Sequence, residues 1–127
     1  MDALTYFMPQ EPSTKSVLIS SRFTDEAGEK LPFVIRPVTE AESRDLRIRC
    51  RTERGVDRER YYAGLVCASV VSPALDDERL QKKYGVLGEE ALLSKMLLAG
   101  EYARLLLEVQ ALCGFEQMER EKELAKN

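Results

Sequence analysis

Apolar and polar positions change period several times along the chain, and each change marks a boundary between elements. Val17, Ile19, Ser21 and Phe23 alternate with Leu18, Ser20 and Arg22, the period of two that sends successive side chains to opposite faces of a strand. Gly28 lies between Asp25 and Glu29 and suits a turn that needs positive φ. Phe33 and Ile35 share one face of a second short strand, bracketed by Pro32 and Pro37. Because proline lacks a ladder donor, that bracket predicts an edge position. A two-stranded hairpin is marginal alone, so its apolar face must lie on helices.

From Thr39 the period lengthens. Thr39-Glu40-Ala41-Glu42 is a capping box, with threonine at the N-cap and glutamate three positions on. The helix it opens runs to about Arg51 and is mostly polar, with Leu46 and Cys50 one turn apart on its inner side; Gly55 breaks it. A second helix starts near Asp57, and only Gly64 and Ser69 interrupt apolar residues from Tyr61 to Val71. A helix apolar all round belongs in the centre of a bundle. Pro73 ends it. Asp76 or Asp77 caps a short third helix carrying Leu80 and Tyr84, with Gly85 at its C-terminal end. Glu89 and Glu90 begin a fourth helix bearing Leu92, Leu93, Met96 and Leu97, with Gly100 as its stop or kink. Tyr102, Leu105, Leu106, Val109 and Cys113 form a 3.6-period stripe on a fifth, which Gly114 closes with Phe115 folding back.

The expected fold is therefore α+β and mainly α: an N-terminal two-stranded β-hairpin packed on a bundle of about five short helices. Residues 1–14 read as an N-terminal arm, 15–115 as a single globular domain, and 116–127 as a charged C-terminal tail. A chain of 127 residues is one domain by length. No internal repeat is visible.

Composition narrows the chemistry. There is no histidine, which removes the commonest general acid–base group and the commonest metal ligand. Cys50, Cys67 and Cys113 are widely spaced and include no Cys-x-x-Cys pair. They read as reduced thiols of a cytoplasmic protein, with no zinc site. No glycine-rich phosphate loop is present. The carboxylate pairs Asp76-Asp77 and Glu89-Glu90 fall at helix starts, where acids stabilise the positive end of the dipole. No catalytic residue, cofactor or metal is expected. No apolar run reaches the roughly 20 residues that span a bilayer.

The net charge of −3 makes general nucleic-acid binding unlike this chain, since phosphate neutralisation needs clustered positive charge. One segment departs from the average. Arg44, Arg47, Arg49, Arg51, Arg54, Arg58 and Arg60 stand against Asp45, Glu53, Asp57 and Glu59, a local balance of +3. A solvated helix face explains it; so does a docking face for an acidic protein, or a small regulatory or nucleic-acid-binding adaptor. No aromatic residue lies within the segment for base stacking.

Some apolar residues exceed what a core needs. Leu98, Leu107 and Leu112 fall off the main stripe of the fifth helix, Ala103, Leu107 and Ala111 form a shallower one, and the arm carries Leu4, Phe7 and Met8. Neighbouring helices bury them, or they meet a partner polypeptide or a second subunit.

Lys83-Tyr84-Gly85-Val86-Leu87, the run from Lys95 to Leu106, Gly114-Phe115, Ser21-Arg22-Phe23 and the segment from Phe33 to Thr39 together resemble the XkdN-like family of phage tail assembly chaperones, from about Leu4 to Phe115. The resemblance implies a protein of the bacterial host cytoplasm, absent from the mature virion. Such a protein binds the tape measure protein, keeps it soluble and helps recruit the tail tube protein, with self-association possible. It also implies fold-determining roles for Arg22, Phe23, Arg36, Pro37, the Tyr84 to Val86 turn and the Met96 to Tyr102 block. Many long-tailed phages make a longer chaperone form by ribosomal slippage, and Ala125-Lys126-Asn127 is compatible with a slippery A-AAA-AAC heptamer; the codon AAG at Lys126 would exclude it.

Overall fold

The computed structural model describes residues 2–8 and 13–115; the segment 116–127, read above as a tail, lies outside them. In chain order the elements are one stretch of 3-10 helix (Ala3–Phe7), β1 (Lys15–Val17), β2 (Phe33–Ile35), α1 (Glu40–Arg49), β3 (Arg51–Thr52), β4 (Gly55–Val56), α2 (Arg58–Ser69), β5 (Val70–Ser72), α3 (Glu78–Lys83), α4 (Glu89–Met96) and α5 (Ala99–Leu112).

β1 and β2 pair antiparallel, with Lys15 opposite Ile35, Ser16 opposite Val34 and Val17 opposite Phe33. Beyond Val17 the expected alternation holds only to Ile19, since Ser20 of the opposite face is buried and Ser21 is exposed. Ile19 is buried and Phe23 packs against the core, but the ladder resumes only as a bridge between Thr24 and Lys30. Ser20 Oγ accepts from Arg22 N at 3.0 Å, a local bond that competes with ladder formation. Asp25 Oδ1 then accepts from the Ala27 and Glu29 amides, each at 2.9 Å, around Gly28 at φ 82.

The hairpin gains a third strand. β5 pairs antiparallel with β2, giving the order β1-β2-β5. β2 is thus central, contrary to its expected edge position, because Pro32 and Pro37 lie just outside its three paired residues. The apolar run from Tyr61 also divides: Val70 and Val71, β-branched and next to Ser72-Pro73, leave the helix for the sheet. Ser69 secures the switch, its Oγ donating to Arg36 O at 2.6 Å while Arg36 N donates to Ser69 O at 2.8 Å.

In α1 the capping box is formed: Glu42 N donates to Thr39 Oγ1 at 3.3 Å, and Thr39 N donates to Glu42 Oε1 at 3.2 Å. Leu46 and Cys50 are buried. The helix ends at Arg49, where β3 and β4 form a two-residue ribbon closing on Gly55 at φ 111. α2, capped by Asp57, packs against α1, α4 and α5 and is the central helix. Gly64 permits its contact with α1, since a Cβ there would lie 2.6 Å from Leu46 Cδ2.

Asp77 caps α3, accepting from Arg79 N at 2.8 Å. Gly85 ends that helix at φ 68, and Val86 N donates back to Gln81 O at 3.0 Å, the Schellman arrangement. Gly100 does not stop α4. The chain is already extended at Leu97 and Leu98, and Gly100 is the second residue of α5. Leu105 and Val109 supply the buried centre of the α5 stripe, with Tyr102, Leu106 and Cys113 packed around it. The core joins these to Phe33 and Ile35 of the sheet, Leu65 and Val66 of α2, and Leu92, Leu93 and Met96 of α4. Among the described residues no helix is long and apolar enough to cross a membrane.

Candidate interaction surface

Two arginines hold the sheet to the helices. Arg22 Nε donates to Glu101 at 3.2 Å, its Nη2 reaches the same carboxylate and also donates to Met96 O at 3.0 Å, and its guanidinium carbon lies 5.1 Å from the Phe23 ring centre. Glu101 in turn accepts from Leu98 N at 2.8 Å, closing the start of α5. The Arg22 hydrogen bonds, helped by Ser20 and the Leu98 amide, hold the Glu101 carboxyl down to about 2. Arg36 grips Glu42 with both terminal nitrogens, at 3.0 and 2.6 Å. That grip, with the Thr39 amide, takes Glu42 to about 2 as well. Both arginines therefore organise helix starts in the fold.

Other groups with chemical potential also have structural partners. Burial, with Glu89 and Glu90 adding to it, pushes the Cys67 thiol up to about 12, leaving it protonated at neutral pH and inert as a nucleophile. Cys113 Sγ accepts from Val38 N at 3.3 Å. Ser43 Oγ lies 2.7 Å from Tyr61 Oη and accepts from Arg47 at 2.8 Å. Buried Gln81 donates to Leu75 O at 2.8 Å and accepts from Gly88 N at 3.0 Å. Among the described residues no group of three or more histidine, cysteine or acidic side chains is placed to hold a metal.

Apolar surface is also left uncovered. The whole segment 2–8 is exposed, with Leu4 at 69%, Tyr6 at 77%, Phe7 at 83% and Met8 at 76%. Asp2 caps its helical stretch by accepting from Leu4 N, yet that element buries no residue. Five residues of helix without tertiary contact are unstable in water. Leu107 is 68% exposed on the outer face of α5, beside exposed Ala103, with Ala111 half-buried.

The six apolar candidates do not make one patch. Leu98 is 60% exposed at the N-cap of α5, and the helical repeat sets it roughly half a turn around from Leu107. Leu112 faces the other way, packed against the core. Leu4, Phe7 and Met8 lie in the exposed segment 2–8, apart in sequence from Leu107 on α5. Lys15, where the chain enters β1, donates to Glu108 Oε2 at 2.9 Å, one residue from Leu107. That ion pair spans 93 positions, so no local pattern in the sequence could announce it. Leu87, 93% exposed between Val86 and Gly88, was not singled out by periodicity; an apolar side chain beside two turn glycines was its signal.

The fold is that of a small mainly helical α+β protein that leaves several large apolar side chains in water. Residues 4–126 match the family described as phage XkdN-like tail assembly chaperone protein. The chain is 30% identical to the phage-like element PBSX protein XkdN of Bacillus subtilis (strain 168), over 98% of its own length and 93% of that protein. It is 28% identical to the uncharacterized protein YqbN of the same strain, with the same coverage. A crystal structure of the protein YqbN superposes with a TM-score of 0.81 at 27% identity, covering 90% of this chain and 98% of that one. The chain belongs to the XkdN-like phage tail assembly chaperone family.

Proposed function

We propose that this protein binds the tape measure protein of its phage or prophage, keeps that long helical polypeptide soluble in the host cytoplasm, and helps bring tail tube subunits to it before leaving the assembled tail. The observation that carries this reading is apolar surface left in water. Leu4, Phe7 and Met8 are exposed in the segment 2–8, and Leu107 is exposed on α5 next to Glu108, the partner of Lys15. An amphipathic client helix would cover apolar groups that the fold leaves in water. Association must overcome roughly 4–15 kcal/mol of lost freedom, so a few leucines and a phenylalanine give a contact that is made and released. A chaperone absent from the finished particle requires that reversibility.

Co-expression with the tape measure protein encoded in the same tail gene cluster tests the reading. Soluble tape measure protein is expected to rise with the wild-type chain and to fall back with L4S/F7S/L107S. No rise with the wild-type chain would end the proposal.

A further inference from the structure

Apart from Arg104, exposed on α5 and in no ion pair, the arginines of the described residues divide into two groups. Arg22, Arg36, Arg47 and Arg79 each pair with a carboxylate. Arg44, Arg49, Arg51, Arg54, Arg58 and Arg60 are all exposed, and among the described residues none forms an ion pair. Those six occupy one corner of the fold, from the second half of α1 through the β3–β4 ribbon to the first turn of α2. The ribbon fixes their order in space: Arg51 is the cross-strand partner of Val56, and Asp57 N donates to Cys50 O at 2.8 Å, closing the corner.

Two aliphatic side chains stand among them. Ile48, one helical turn from Arg44, is 56% exposed, and Val56 is 38% exposed. Arginine is among the residues enriched at protein interfaces, and Ile48 and Val56 add apolar area beside it here. At Arg49 the corner borders a cleft of about 590 Å³ whose far side carries Glu89 and Glu90, so the carboxylates of an occupant would stay on the Arg49 side and its aliphatic groups would meet Leu46, Cys67 and Leu87.

We propose that this corner is a second docking surface, for a protein segment whose carboxylates alternate with aliphatic side chains. Charge selects that occupant. The segment from Arg44 to Arg60 carries +3 within a chain of net charge −3, so it attracts carboxylates that the rest of the surface repels. Asp45 and Glu53 are exposed in the same corner, as is Glu59. They would oppose a continuous phosphate backbone, but a helix with spaced acids can avoid them. The inference rests on the client reading above: the acidic segment belongs to the same tape measure polypeptide, gripped by apolar contact at the arm and by charge here.

The test is co-purification of the tape measure protein with the wild-type chain, with R44E/R51E/R54E and with R44K/R51K/R54K, each variant first shown to keep the wild-type melting curve. Retained client is expected to drop about tenfold with the glutamate variant and to be largely kept with lysine. The wild-type complex should also weaken between ~50 and ~500 mM salt, as screening shortens the reach of exposed charge. Equal retention by the wild type and the glutamate variant would overturn this inference and leave the apolar client reading intact. If the wild type retains nothing, both fall. Two further results would overturn it in favour of another occupant: a short DNA duplex shifted by the wild type but not by R44E/R51E/R54E, or salt-sensitive self-association lost in that variant without loss of client.

Discussion

Leu105 and Val109 are fully buried where α5 meets the sheet and α2. Truncation there removes transfer energy and leaves a cavity, so Leu105→Ala should cost about 2–5 kcal/mol, read as a lower urea midpoint at unchanged slope. Charged residues add a dependence on pH. Glu42 and Glu101 are held to about 2 when folded, against an ordinary value of 4.5. Their stabilisation is complete above the unfolded value and disappears as pH falls through the folded one. Stability should therefore decline between about pH 4.5 and 2, and Glu101→Gln should flatten part of that decline; a slope unchanged in the variant would refute the Arg22 pairing. Cores of this kind can be read from periodicity, and Leu92, Leu93, Met96 and Leu97 are all buried as their spacing predicts. The Arg22–Glu101 pair joins residues 79 positions apart and leaves no local trace.

At the scale of elements, caps were legible because they are local chemistry. Thr39 with Glu42, Asp57, Asp77 and Gly85 all act where the sequence places them. Removing the first of these tests the point: Thr39→Ala should destabilise by about 1 kcal/mol, and Thr39→Ser should restore most of it in the same thermal melts. Tertiary competition was not legible. Val70 and Val71 fit a helix or a strand, and only the open edge of β2 decides for the strand. Gly100 reads as a stop for α4, yet α4 ends at Met96 with Leu97 and Leu98 extended, while Glu101 rather than Gly100 organises the start of α5. A glycine near a boundary marks that boundary only to within a turn.

For the whole molecule, the expected hairpin on five helices is present, with β5 added to its sheet and the separate β3–β4 ribbon between α1 and α2. The exposed apolar surface was legible in part. Surplus leucines can be counted in a sequence, but which of them face water is set by packing: Leu107 does and Leu112 packs inward. A variant that changes only the exposed member separates function from folding. Leu107→Ser should alter stability by no more than about 0.5 kcal/mol while lowering the yield of soluble tape measure protein.

Site-specific photo-cross-linking during co-expression reads the contact itself. With a photoreactive side chain at Phe7 or Leu107, the tape measure protein should be captured from both positions, and not from Glu26 in the hairpin turn. Capture from Glu26 as strong as from Phe7 and Leu107, or no capture from those two while the client remains soluble, would contradict client binding through the exposed apolar side chains.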